Sequence, residues 1–329
     1  MAVTTPTTID TSIPEVWASE VLRDHRYKGF WGRFVGSAIV QKSELLNKPG
    51  DLIHIQTGSY LTAEGVTGDT ATLEGNEEAL SLSEIKVSPL LYRHAVRINR
   101  RANKKSIVEL RAEAKMRLAE WGANKMDAVR FEKFSATTLP APLASETYNA
   151  PNYFVAGGTD GSPSVDDITA GETLTVARIQ QLRLLLEAQR ATPINQDGFP
   201  FYALVIHPNA LYALKREEEY RDWVREAHIR GADNPFFKGA TAILDGIVIY
   251  SHFNSLTVTN SGPLLVAKGL AFGAEAFVEG LDENVHSAED TFDYDLEWGT
   301  SYEFAFQPRR ALEKNSMQVF ALATAVTGA

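Results

Sequence analysis

Between Asp51 and Lys105 the charge of the chain separates into two halves of opposite sign, and few folds can satisfy such a segment within one molecule. From Glu64 to Glu84 the chain carries Glu64, Asp69, Glu74, Glu77, Glu78 and Glu84 and no Lys or Arg. From Arg93 to Lys105 it carries Arg93, Arg97, Arg100, Arg101, Lys104 and Lys105 and no Asp or Glu. Apolar residues alternate along both flanks. Ile53 and Ile55 alternate with His54 and Gln56, and Leu80 and Leu82 lead, after a slip at Glu84, into Ile85 and Val87. Tyr92, His94, Val96 and Ile98 continue the alternation toward the root, which is strand periodicity. The pattern predicts a long two-stranded arm with a Gly-rich tip, and a bulge where the phase slips. Such a ribbon is marginal alone and needs a partner surface. An acidic tip and a basic root suit a repeated head-to-tail contact between copies, because complementary charge sets register. The same charges also fit a solvated loop beside a basic helix start.

Composition narrows the alternatives. With 329 residues the chain is long enough for two domains or one large one with insertions. A net charge of −10 argues against gripping a phosphate backbone, which needs a basic face. The absence of Cys removes disulfides, thiolate metal sites and thiol nucleophiles, and fits a reducing cytoplasm. Met1 to Ser12 has neither a basic nor an apolar region, so no signal peptide is expected there. No apolar run reaches the roughly 18 residues of a membrane span.

Ser12-x-x-Glu15 reads as a capping box opening a helix with Val16, Trp17, Val21 and Leu22 on its apolar face. Gly29 to Gly36 then sets Phe30, Trp31 and Phe34 between glycines, aromatics that must bury against this chain or a neighbour. A second capping box, Ser106-x-x-Glu109, predicts a long helix to Phe134 with Ile107, Leu110, Ala114, Leu118 and Trp121 on one stripe. Residues 135–172, rich in Pro, Gly, Ser and Thr, read as a loop. A compact α/β segment follows. Val176 to Arg190 is helical, Phe201 to Ile206 is a buried strand, and Ile243 to Tyr250 is a strand interrupted by Gly246. Short strands are expected at Leu264 to Ala267 and Ala276 to Val278, with closing strands at Ser301 to Gln307 and Met317 to Val326.

Enzyme chemistry finds little support. There is no phosphate loop, dinucleotide fingerprint, nucleophile elbow or H-E-x-x-H pair. His207 sits where an apolar strand meets a helix start, a usual place for α/β sites, but no nucleophile or acid lies near it in sequence and a helix cap accounts for it. The acids from Asp290 to Glu297 lack the glycine and ligand spacing of a calcium loop and read as a solvated loop. No catalytic, cofactor-binding or metal residue is assigned.

Several stretches carry a resemblance: Ile13-Pro14-Glu15-Val16-Trp17, Gly65-Val66-Thr67-Gly68-Asp69, and Leu73-Glu74-Gly75-Asn76-Glu77-Glu78-Ala79-Leu80. Arg93-His94-Ala95-Val96-Arg97, Asp233-Asn234-Pro235-Phe236-Phe237 and Asp245-Gly246-Ile247-Val248-Ile249-Tyr250 extend it. In this order the chain resembles the major capsid proteins of tailed bacteriophages, over about residues 12 to 325. The resemblance implies the α+β Hong Kong-type phage capsid fold: an N-terminal arm (1–50), an extended β-hairpin loop (51–98), a peripheral domain with a long spine helix (99–171 and 285–315), and an axial α/β domain (172–284 and 316–329). It implies an icosahedral head shell of pentamers and hexamers, assembled in the host bacterial cytoplasm and enclosing double-stranded DNA without sequence-specific binding. A separate scaffolding protein or none, a portal, and a shell with or without a decoration protein are what the resemblance implies for partners; no cofactor or membrane is implied. Trp17, Phe30, Trp31, Phe34, Glu74, Glu77, Glu78, Arg93, Arg97, Arg100 and Arg101 are the expected inter-subunit contacts. A cellular compartment shell of the same fold, or a cytosolic α/β enzyme using His207 and the acidic cluster from Asp290 to Glu297, remain the alternatives.

Overall fold

The computed structural model describes residues 29–46, 50–58, 61, 63–68, 72–80, 82–106, 109–136, 143, 152–155, 168, 172–196, 198–222, 242–259 and 264–322. In chain order the strands and helices begin with β1 (Ile39–Lys42), β2 (Ile53–Gly58), β3 (Leu82–Val87) and β4 (Leu90–Asn99). Helices α1 (Arg100–Lys105) and α2 (Leu110–Phe134) follow, then β5 (Asn152–Val155), α3 (Val176–Ala188), β6 (Ile194–Gln196) and β7 (Phe199–Ile206). After α4 (Pro208–Arg216) come β8 (Ala242–Leu244), β9 (Ile247–Ser251), β10 (Leu256–Thr259) and β11 (Leu265–Phe272). The chain closes with β12 (Phe277–His286), β13 (Glu289–Phe292), β14 (Glu297–Arg310) and β15 (Ser316–Leu322). Two compact units result: residues 92–124 and 285–303 form one, and the described residues of 29–91, 125–284 and 304–329 form the other.

The larger unit is built on an eight-stranded sheet in the order β5-β15-β11-β7-β9-β8, with β10 beside β11 and β6 beside β7. Its central strand, β7, pairs parallel with β9 and antiparallel with β11. The apolar run Phe201 to Ile206 has no polar alternation because both faces of this strand are covered. Leu204 and Ile206 join the cluster made with Ile179, Leu182 and Leu186 of α3 and Leu211 and Leu214 of α4. Ala203 and Val205 face the opposite cluster, where Phe30, Trp31, Phe34, Phe131, Phe134, Phe272 and Phe277 gather. The expected strand from Ile243 to Tyr250 is two antiparallel strands. Leu244 pairs with Ile247, and Asp245 (φ 46°) and Gly246 (φ 73°) make the turn between them. Asp-Gly with positive φ at both positions is the tight hairpin connection whose twist matches its strands.

In the smaller unit β13 and β14 form a hairpin, from Glu289 opposite Thr300 to Phe292 opposite Glu297, and β4 pairs with β14. The return alternation at Tyr92, His94, Val96 and Ile98 is therefore a sheet strand, not the second limb of the arm. The first half of α2 covers this sheet. The Trp121 ring lies 4.8 Å from His94, and a Cβ on Gly122 would come within 2.3 Å of the Tyr302 ring. Only glycine permits that approach.

The long helix begins later than its sequence predicts. Ser106 is not its N-cap: it closes α1, with extended backbone and its N–H bonded to Ala102 O. The Leu110 N–H is met instead by Asn103 Oδ1 at 3.1 Å. Asn103 reaches it from α1, seven residues back, a long-range cap that no local motif announces. Ala114 and Leu118 of the expected stripe are buried, Leu110 and Trp121 are partly exposed, and Ile107 lies outside the described residues. Nearer the end of α2 Val129, Phe131 and Phe134 are buried, Phe131 and Phe134 in the aromatic cluster. At its end Ser135 O accepts from Gln318 Nε2 (2.6 Å) and Lys268 Nζ (3.2 Å), which satisfies a terminal carbonyl. No helix among the described residues is long and apolar enough to cross a membrane.

Candidate inter-subunit surfaces

The arm is a short ribbon. β2 and β3 pair from Ile53 opposite Val87 to Gly58 opposite Leu82, six continuous pairs with no inserted residue. The bulge expected at Glu84 is absent. The phase change instead marks a switch of environment, since Ile85 and Val87 are buried while Leu80 and Leu82 stand in solvent. Ile53, Ile85 and Val87 anchor the ribbon root against Val278, with Val40 and Leu45 beside them. Thr57 Oγ1 and Ser83 Oγ lie 2.6 Å apart near the end of the pairing.

Beyond the ribbon the acidic residues fold onto their own backbone. Glu78 Oε2 accepts the Ala63 N–H at 2.7 Å, and Glu77 Oε2 accepts the Gly75 N–H at 2.8 Å. The Asn76 N–H donates to Leu73 O at 2.9 Å, closing a turn around Glu74. The acidic tip is thus a shaped loop. It also carries Leu61, Leu73, Leu80 and Leu82, each between 62% and 70% exposed. The charges mark this tip in the sequence, whereas the exposure of its leucines is decided by the fold. The slip at Glu84 was the available signal, because it moves two leucines to the outer face.

The basic root is partly used within the chain. Arg93 Nε lies 3.0 Å from Glu303 Oε2, and Arg97 pairs with Glu297 while its guanidinium covers the Phe292 ring at 4.3 Å. The Arg100 N–H donates to Leu296 O at 2.7 Å. Arg100, Arg101, Lys104 and Lys105 project from α1, which has no buried residue. The acids near Asp290 are drawn into the same network. Glu289 pairs with Lys115, and that neighbour holds its carboxyl below the usual range. Among the described residues no group of three or more His, Asp or Glu side chains is arranged to hold a metal ion.

The aromatic segment departs from expectation. Phe30, Trp31 and Phe34, expected at a subunit interface, are buried in this chain's own core, and Trp31 is fully enclosed. The Trp31 ring contacts Phe131, Phe134 and Phe272 at 5.0 to 5.4 Å between centroids. The physical reason is that α2 and β11 present matching aromatic faces, so burial is completed without a neighbour. Trp17 lies outside the described residues. His207 is the N-cap of α4: its Nδ1 accepts the Asn209 N–H at 3.2 Å, and burial pushes its pKa down. A ring nitrogen held by the backbone serves the helix start.

Comparison with known proteins gives this arrangement a context. The chain is 27% identical over 328 residues to the major capsid protein of Pseudomonas phage KPP25, covering 87% of this chain and 86% of that protein. Its fold matches the capsid of Ralstonia phage GP4 with a TM-score of 0.81, at 22% identity over the full length of both chains. It matches the capsid of cyanophage Pam1 with a TM-score of 0.76, at 18% identity over 96% of this chain and 98% of that one. The phage capsid protein family model matches residues 17–298, most of the chain, and the protein belongs to that family.

Proposed function

We propose that this chain is the major capsid subunit that closes, through pentamers and hexamers, into the icosahedral head shell enclosing the double-stranded DNA of a tailed phage. Family membership across residues 17–298 carries the reading. Its role is structural, and self-association into a shell is what membership entails. The ribbon tip supports a contact between copies: four exposed leucines beside acidic groups would cost solubility on a free subunit and gain burial in a shell. The exposed cations of α1 offer the complementary charge. Net charge of −10 suits a shell that must not trap the DNA it encloses. In this reading the β2–β3 ribbon with its tip is the extended loop, α2 the spine of the peripheral domain, and the sheet around β7 the axial domain. A scaffolding protein, a portal and a decoration protein act on it, and assembly takes place in the host cytoplasm. Electron microscopy of the purified, expressed protein tests the reading. Closed particles of uniform diameter are expected, alone or with a scaffold; a protein that stays monomeric with every scaffold candidate from the same genome contradicts it.

A further inference from the structure

The turn after β9 places a histidine inside the aromatic packing that anchors Phe30 to Phe34. The His252 ring lies 4.7 Å from Phe30 and, nearly parallel, 5.3 Å from Phe131 of α2. Phe30 is itself suspended from α2, because its N–H and that of Trp31 donate to the Asp127 carboxylate. His252 Nδ1 accepts the backbone N–H of Asn254 at 3.1 Å, so the neutral ring carries its proton on Nε2. A second proton must enter at Nδ1, against the Asn254 N–H. Phe253, stacked on the outer side of the ring, is half exposed, so the turn is within reach of water.

The groups around the ring act in both directions. Asp127 on α2 favours an imidazolium, as do the faces of the aromatic rings. Arg33, over the Phe30 and Tyr250 rings at 4.7 and 5.3 Å, opposes it. Arg130 and Glu279, beyond Asp127, neutralise each other, and the Tyr250 hydroxyl stays neutral. Burial dominates and, aided by Arg33, holds the His252 pKa below its ordinary value despite Asp127.

We propose that His252 is a pH-sensitive latch on the Phe30–Phe34 segment. Neutral, it is a flat ring within the stack and the acceptor that closes the Asn254 turn. Protonated, it loses that acceptor, leaves the stack, and loosens the hold of α2 on Phe30 and Trp31. The direction follows from linkage. A histidine with a depressed pKa in the docked state contributes fully above about pH 6.5, and its contribution is lost as pH falls below that toward the docked value.

Hydrogen exchange of full-length, unassembled subunits between pH 7.5 and 5.0, corrected for intrinsic rates, reads the latch directly. Protection of residues 30–36 is expected to fall with pH, by up to about tenfold per unit of pKa depression. Protection of residues 203–206 in β7 should hold. His252→Phe keeps the stack and cannot titrate, so its residues 30–36 should show no fall. His252→Gln keeps an acceptor for Asn254 and provides the same reading should the Phe variant misfold. An unchanged wild type, or a fall that persists in the folded variant, overturns the latch.

Discussion

Arg130 on α2 and Glu279 on β12 meet in a two-pronged ion pair, Nε to Oε2 and Nη2 to Oε1 both at 2.9 Å, with both side chains almost sealed from water. Arg130 Nη1 lies 3.5 Å from Asp127, which receives the Phe30 and Trp31 N–H groups. Gln41 Nε2 reaches Glu279 Oε1 from β1 at 3.4 Å. Burial acts against the guanidinium charge, and Glu279 and Asp127 outweigh it, so the Arg130 pKa is raised. One buried ionic chain thus ties the segment before β1, the end of α2 and the start of β12.

Breaking that chain on one side should be costly. Arg130→Met leaves the buried Glu279 carboxylate without its facing charge, and about 3–5 kcal/mol of subunit stability should be lost. Glu279→Gln should cost less, since Arg130 keeps Asp127 and an amide oxygen. Replacing both by Met should recover part of the Arg130→Met loss, since Asp127 keeps its two backbone donors. Urea melts of unassembled subunits measure all three. Single variants within about 0.5 kcal/mol of wild type would mean that water reaches the pair.

The aromatic segment should behave as core. Trp31→Ala should cost about 3–5 kcal/mol, the range for truncating an enclosed aromatic. Deleting residues 1–35 should leave a chain that does not fold cooperatively, because Phe30, Trp31 and Phe34 go with it. A shortened chain with a wild-type melt would show that their burial contributes little.

Along α2 two nearby positions should differ sharply. Leu118 is buried, and Leu118→Ala should cost about 2–5 kcal/mol including the cavity left behind. Lys115, half exposed and paired with the exposed Glu289, should tolerate Ala with no measurable change in the melt. The reverse ranking in denaturant melts would remove α2 as the packed spine.

Charge reversal at the tip separates folding from assembly. Glu74→Lys, Glu77→Lys and Glu78→Lys together should leave the melt of the subunit near wild type, since all three groups are exposed. Closed particles should no longer form. Single reversals should be mild, because an exposed pair contributes only about 0.2–1 kcal/mol. Normal particles from the triple variant, counted by electron microscopy, would rule the acidic tip out as a contact.

The sequence by itself determined what local periodicity and charge can encode. The apolar run of β7, the buried stripe at Ala114 and Leu118, the cap at His207 and the acidic tip are legible because neighbours three, four or two residues apart decide them. Tertiary structure decided the rest. Alternation at Tyr92 to Ile98 identifies a strand but not its partner, and β14, two hundred residues away, takes it in place of the arm. Ser106 matched a capping box, yet Asn103 supplies the acceptor across a break between helices. The aromatics at Phe30 to Phe34 had to bury somewhere, and only the placement of Phe131, Phe272 and Asp127 made that place this chain's own core. Arg130, Asp127 and Glu279 look like ordinary helix and strand charges in sequence. Their pairing spans 149 residues, and only burial together turns them into a clamp.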